Sequence, residues 1–425
     1  YQMNILILGS GAREHAFAWK ISQSNKLNKL YVAPGNAGTA LIAKNLDIDI
    51  SDFNKIRKYI LDLNINLVVV GPEIPLINGI VDFIQNDPLL KHTLVIGPSQ
   101  KGAQLEGSKD FSKEFMFRNN IPTAPYRTFD KTSLSEGLDY LSNISPPYVL
   151  KANGPAAGKG VLILENLDKA KEELTNMIIN DKFGSSGSKV VIEGFLQGIE
   201  ISCFVLVDNK SYLILPSAKD YKRVGKGDTG LNTGGMGSIS PVAFADKEFN
   251  RKIENRIIKP TVNGIIKEKL NYVGFLFIGI IKVDNDPYVI EYNVRMGDPE
   301  TQVVLPRIKN DFLELLISTV NGNLDSVPME IDKKSYVNVV LASGGYPEKY
   351  EKGKIVSGLN DCKDSIIFHA GTERVEDKIK TSGGRVLSVV SSSSEFKSAL
   401  QKSYAEVEKI KFQGKYFRPD IGFDL

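Results

Sequence analysis

The chain has 425 residues, 42% hydrophobic and 24% charged, ordinary values for a globular protein able to bury a sizeable core. Its 53 Lys and Arg against 50 Asp and Glu leave a formal charge of +3, which excludes bulk nucleic acid or an anionic membrane as the main partner but allows a local basic cleft. Two cysteines (Cys203, Cys362) and three histidines (His15, His92, His369) exclude a disulfide framework and argue against a metal centre built from either residue type. No apolar run approaches the ~20 residues a bilayer needs. A reducing, cytoplasmic location is expected, with neither nucleic acid nor membrane as partner. Met3 is the expected natural start, without a signal-type stretch after it.

Length divided by ~150 residues per domain suggests about three units. In residues 1–108, the β-rich runs Asn4–Leu8, Leu30–Ala33, Asn66–Val70 and Thr93–Ile96 alternate with helical patterns at Ala12–Gln23, Asp52–Asn64 and Pro75–Gln85. That alternation predicts a doubly wound parallel sheet with ligands at its carboxyl ends, where Gly9, Gly71 and Gly97 stand. A unit over 109–196 follows, with a helix at Ser108–Arg118 and a small α+β lobe from about 124 to 196. Within this lobe, the strands Pro147–Lys151 and Gly160–Glu165 flank a glycine-rich loop, and Lys189–Glu193 is a further strand. Residues 197–330 carry longer strands at 201–207, 211–216, 274–283 and 287–294. Between them, Lys219–Ser240 reads as a structureless polar loop of the kind that is usually functional. Ala245–Leu270 reads as a helix interrupted at Pro260, and Asp311–Val320 as another helix. Residues 331–425 hold short β runs and a helix near Ser394–Glu408, a small β-rich domain. No second enzyme follows, so a single activity is expected.

Gly9-Ser10-Gly11-Ala12-Arg13-Glu14 begins like a dinucleotide fingerprint, but Glu14 replaces the third small residue. Amides at a helix N-terminus still favour an anion, and Arg13 suits a phosphate. A sugar phosphate fits better than a nicotinamide dinucleotide. Gly154–Gly160 is not a Walker A loop, because its spacing is short and a strand follows. It reads instead as a hinge-like lid over phosphates, with Lys159 as its point charge. Glu291 and Asn293, two apart on a strand, share one face, and a carboxylate plus an amide oxygen suits Mg²⁺ bridged to nucleotide phosphates. His15 reads as structural, and no nucleophile motif is present.

The order Lys109, Lys151, glycine lid, Glu193, Glu200, Glu291-x-Asn293 resembles the ATP-grasp superfamily. The segments GSGAREHA (9–16), GPEIPL (71–76), QLEGSK (104–109), YKRVGKGDTGLNTGGMG (221–237), RMGDPETQ (295–302), FHAGT (368–372) and GGRVL (383–387) are similar to its phosphoribosylamine–glycine ligase family. The resemblance implies an N-terminal pre-ATP-grasp sheet, a two-lobed ATP-grasp and a C-terminal domain. It implies an enzyme of purine synthesis that joins glycine to 5-phosphoribosylamine through a glycyl phosphate. ATP would be co-substrate, and Mg²⁺ or Mn²⁺ the metal. Lys109, Lys151, Gly158, Lys159 and Gly160 would handle ATP phosphates. Glu193, Phe195 and Leu196 would read adenine, and Glu200 the ribose. Glu291 and Asn293 would hold the metal. Lys151, Arg295 and Asp298 would serve the reacting groups. Gly11, Arg13, Asn36, Glu73, Asp220 and Arg295 would line the substrate pocket. A monomer acting on small molecules is expected.

Leu231 and Gly194 depart from the family pattern, and the strand 274–282 lacks a carboxylate, so a second metal would rely on phosphates and water. The alternatives are another ATP-grasp carboxylate–amine ligase of purine synthesis, which the loop GDTGLNTGGMG and FHAGT disfavour, and a nicotinamide oxidoreductase or nucleotide sensor.

Overall fold

A computed structural model describes residues 1–425. The first sheet is parallel, with strands in the order Leu94–Pro98, Leu67–Val70, Met3–Gly9, Leu27–Pro34, Lys44–Asn45. Alternation along Met3–Gly9 explains its double winding. Leu6 and Leu8 enter one core of 41 buried residues, while Ile5 and Ile7 enter another of 32.

This sheet does not stop at the first domain. Pro98 and Gly97 pair antiparallel with Tyr272 and Val273, the start of the 12-residue strand Tyr272–Val283. That strand pairs on its other edge with Ile199–Asp208, and further along the same edge as Leu94–Pro98 with Asp286–Asn293. With Tyr212–Ile214 paired to the outer edge of Ile199–Asp208, the result is one nine-stranded sheet. Both cores continue through it: Leu276, Ile278 and Ile280 join the first, Phe275 and Phe277 the second. The strand Asp286–Asn293 and the N-terminal strands therefore share one sheet and its cores.

Two smaller units keep their own cores. The lid lobe is a four-stranded sheet, Tyr126–Asp130, Lys189–Glu193, Tyr148–Ala152, Val161–Leu164, over a core of 11 buried residues. Tyr148–Ala152 and Val161–Leu164 form the expected antiparallel hairpin around the glycine loop. The C-terminal sheet runs Lys219–Asp220, Gly237–Ser240, Ser335–Ala342, Arg385–Ser393, Ile366–His369, over a core of 14.

Three local expectations are corrected. Lys219–Ser240 is not structureless: its ends are strands of the C-terminal sheet, and Arg223–Gly225 with Thr229–Asn232 makes a hairpin between them. Pro75–Gln85 is two short helices, Glu73–Ile77 and Ile80–Gln85, split at Gly79 with φ +90°. The long helix is interrupted before Pro260, by a π turn at Glu254–Ile258 that absorbs the amide hydrogen bond proline cannot make.

Candidate active site

Lys109 opens the helix Lys109–Arg118, whose N-cap is Ser108. Asn153, just past the lid strand, ties this helix to the lid: its Oδ1 accepts from Ser108 Oγ (3.1 Å) and the Asp110 amide (2.8 Å). One turn on, Lys113 points from the body towards the lid. Its Nζ lies 3.2 Å from Glu193 Oε1 and donates to Thr123 Oγ1 at 2.6 Å. Glu193 Oε2 takes Lys151 Nζ at 3.0 Å. The Glu193 carboxylate is thus enclosed between two buried lysines, while Phe195 two residues on is exposed. Burial pushes Lys113 down to about 8, with Glu193 pulling upward. Burial also lowers Lys109, against the attraction of Glu291.

Glu291 gathers these charges. Burial favours its protonated form, but Lys222, Lys151, Lys109 and Arg295 outweigh that and hold its carboxyl below the usual range. It is therefore an ionised carboxylate beside Asn293 on the strand Asp286–Asn293. No group of three or more His, Cys, Asp or Glu side chains is arranged to hold a metal by itself. One carboxylate, one amide oxygen and a ring of lysines fit a divalent cation shared with phosphates.

Lys222 was not singled out in the sequence. Asp220 most strongly holds its charge, with help from Glu200, Glu291 and Glu300. Glu300 is raised to about 8 by burial and by Asp220. Asp220, Glu200 and Glu291 thus all act electrostatically on the same lysine.

Arg295 joins this cluster to the first sheet. It lies 3.0 Å from Glu106 Oε2 and 3.4 Å from Glu73 Oε2, and donates to Asn293 Oδ1 at 3.3 Å. Glu106 also accepts the Val294 amide at 2.8 Å, and burial raises it to about 7. It orients the arginine, a role the motif QLEGSK did not reveal. Asp298 accepts the Arg13 amide at 3.3 Å and Gln302 Nε2 at 2.8 Å. Burial raises its pKa, but Arg385 and Arg13 bring it below the usual range.

Glu14 fills the space a dinucleotide would need. A methyl on Gly9 would meet its Cγ at 2.4 Å, and one on Gly71 its Oε2 at 2.3 Å, while Glu14 Oε1 accepts the Gly11 amide at 2.9 Å. Arg13 pairs with the same carboxylate and donates to Met296 O at 3.3 Å. Asn36 is buried with its side chain committed: Nδ2 donates to Ser10 O (2.9 Å) and His369 O (2.7 Å), and Oδ1 accepts the Gly38 amide (2.8 Å). It shapes the pocket loop rather than offering free polar atoms to a ligand. His15 Nδ1 accepts the His369 amide at 2.8 Å, and burial, with His369 alongside, pushes its ring down to about 3, so it is the structural neutral histidine expected.

The lid loop is open. Gly158 has φ +76°, a methyl added to it would meet nothing within 4 Å, and Lys159 is exposed. Gly160 packs a backbone against Ala156 and Ala152, where a methyl would sit 2.8 and 3.0 Å away.

Comparison with known proteins fits this geometry. Three family descriptions match in chain order: the N domain of phosphoribosylglycinamide synthetase over residues 3–106, its ATP-grasp (A) domain over 107–301 and its C domain over 336–424. The chain belongs to the phosphoribosylglycinamide synthetase family. Among curated relatives of this family, the phosphoribosylamine–glycine ligase of Fusobacterium nucleatum is 43% identical, covering 99% of this chain and 98% of that protein. The ligase of the same name from Haemophilus influenzae is 44% identical over 99% and 98%. A crystal structure of phosphoribosylamine–glycine ligase from Thermotoga maritima superposes with a TM-score of 0.86 at 36% identity, covering 98% and 99% of the two chains. A Campylobacter jejuni biotin carboxylase–β-γ-ATP complex, 15% identical with TM-score 0.74 over 98% and 93%, shares the fold. No helix of the chain is long and apolar enough to cross a membrane.

Proposed function

We propose that this cleft is where the family's reaction runs: ATP, glycine and 5-phosphoribosylamine become glycinamide ribonucleotide, ADP and phosphate in purine synthesis. The observation that carries the reading is Arg295, which touches Asn293 on the phosphate side and Glu73 at the first sheet's carboxyl end. One guanidinium spans the nucleotide site and the amine site.

Lys109 and Lys151 draw the triphosphate in, with the 154–160 lid folding over it. Phe195 and Leu196 flank the base, and Glu200 takes the ribose hydroxyls. A divalent cation, Mg²⁺ or Mn²⁺, would be held by Glu291 and Asn293 and would neutralise phosphate charge. Lys222 and Arg295 complement the charge on the γ-phosphoryl as a glycine carboxylate oxygen attacks phosphorus in line and ADP leaves. The amine nitrogen, held by the Gly11–Arg13 turn and Glu73, then attacks the glycyl carbonyl. Phosphate departs and the nitrogen sheds a proton. Positioning and charge neutralisation suffice, with no covalent enzyme intermediate. We place the protein in the cytoplasm as a monomer.

The test is a substrate panel. ADP release should require both glycine and phosphoribosylamine, with glycinamide ribonucleotide identified by mass. ADP release that depends on bicarbonate or formate instead overturns the reading.

A further inference from the structure

The hairpin segment that delivers Lys222 is held from behind by residues 190 or more positions away. Along Lys219–Lys222 the side chains alternate. Lys219 and Tyr221 are buried on the C-terminal side, whereas Asp220 is half-buried and Lys222 exposed, and Lys222 feels the charges of Glu200, Glu291 and Glu300 on the opposite, cleft-lining elements. Asp424 grips both buried residues: its Oδ2 lies 3.3 Å from Lys219 Nζ, and its Oδ1 accepts the Tyr221 hydroxyl at 2.7 Å. Arg418 is fully buried, with its guanidinium 5.5 Å from the Tyr221 ring centroid and 5.7 Å from that of Phe423. The same guanidinium donates to Asp228 Oδ1 (2.8 Å), to Arg223 O (3.2 Å) and to both oxygens of Asp420 (3.0 Å each). Asp420 Oδ2 in turn accepts the Gly227 amide at 2.7 Å.

The hairpin at 223–232 has almost no packing of its own. All four residues of Thr229–Asn232 are exposed, and its two strands pair only with each other. A two-stranded ribbon of this kind is marginal alone in water. Its placement therefore depends on the segment Tyr416–Asp424, whose Arg418 bonds the strand at Arg223 and the turn at Asp228, and whose Asp420 accepts the turn amide of Gly227. A buried arginine matched by two carboxylates and a carbonyl is costly to assemble and fixes one geometry.

We infer that Arg418 is a positioning residue for catalysis: with Asp424 it locks the 219–228 segment so that Asp220 and Lys222 face the γ-phosphoryl end of the cleft. This rests on the proposed ligase reading. The arginine touches neither nucleotide nor substrate. Misplacing a catalytic charge by about 1 Å costs on the order of a hundredfold in rate, so the effect belongs in kcat. The lid-side lysines are on other elements, so ATP affinity is spared.

The experiment compares wild type, Arg418→Met, Arg418→Lys and the milder Tyr221→Phe, with Lys222→Met as a second background. Wild-type turnover on glycine and phosphoribosylamine is measured first. Absence of that turnover rejects the ligase reading and leaves the strap unjudged by kinetics, and limited proteolysis at the 223–232 hairpin then decides it. Faster cleavage in Arg418→Met than in wild type supports the strap, and equal cleavage overturns it. With wild-type turnover present, Arg418→Met, assayed well below its melting temperature, should lower kcat by about tenfold to a hundredfold and leave ATP KM within about threefold. Arg418→Lys should recover part of the loss, because an ammonium can still reach one carboxylate. In the Lys222→Met background, Arg418→Met should add less than about threefold, since both act through one lysine. Equal kcat for folded Arg418→Met and wild type overturns the inference, as do losses that multiply in the double variant. If Arg418→Met does not fold, Tyr221→Phe carries the same comparison at smaller amplitude.

Discussion

Glu193→Gln isolates the ion pair that joins body to lid. Gln keeps the shape and removes the charge facing Lys113 and Lys151. Lys113 stands at about 8, below the usual 10.5, mainly through burial, with Glu193 opposing. Without Glu193 the folded variant either keeps a buried ammonium unpaired, at about 3–5 kcal/mol, or releases the proton. At pH 7, one unit below about 8, release costs about 1.4 kcal/mol relative to wild type, so release wins. The Lys113 contribution to the loss is then about 1.4 kcal/mol at pH 7, and about twice that near pH 6. It vanishes above about 8, where the wild-type lysine is already neutral. The direction follows from linkage. The folded pKa lies below the unfolded one, so the unfolded chain carries the extra proton between about 8 and 10.5, and wild-type stability rises with pH across that window. In the variant that rise starts at lower pH. Losing the Lys151 contact adds about 1 kcal/mol at every pH. Urea denaturation at about pH 6, 7 and 8.5, with hydrogen exchange reporting the lid strands, measures the gap between the two proteins. A gap that stays flat, or widens as pH rises, refutes the reasoning.

Two further substitutions probe the two halves of the cleft. Glu291→Ala should lower metal-dependent turnover by about a hundredfold or more with circular dichroism unchanged, because the role proposed for the carboxylate is to hold the cation and not to pack the core. An unfolded Glu291→Ala protein would place that residue in the fold instead. Gly71→Ala should weaken phosphoribosylamine use far more than ATP use. The added methyl would sit 2.3 Å from Glu14 Oε2 and 2.7 Å from Leu8 O, so the loop at the first sheet's end must move. Unchanged KM for the amine would remove that loop from the pocket.

Much of the site could be read from residue order, because ATP handling needs charges at strand ends and these punctuate a sequence visibly. Lys109, Lys151, Glu193, Glu200 and Glu291 fall into one electrostatic cluster as their order suggested. What escaped was reach across the chain. Lys113 looks like any lysine of a charged amphipathic helix. Only its spacing of four from Lys109, which puts both on one face, hinted at a partner. Lys222 was hidden because Lys219–Ser240 reads as loop by composition. The in–out alternation of Lys219, Asp220, Tyr221 and Lys222 was the available signal, and four residues are too few for periodicity to stand out. Glu106 and Arg385 act by holding Arg295 and Asp298, contacts made between residues 189 and 87 positions apart, which local pattern cannot supply. Asn36 shows the converse: a polar residue at a sheet's carboxyl end reads as a ligand contact, yet its atoms are spent on the loop around it.

The pairing of Gly97 and Pro98 with Val273 and Tyr272 has a consequence for biogenesis. The N-terminal strands emerge from the ribosome long before the partner that caps their outermost member. During that interval the Gly97–Pro98 end of the strand lacks its partner, an invitation to sticky association between nascent chains. A fragment cut after the first domain would keep that raw border permanently, and should precipitate where the intact polypeptide stays in solution.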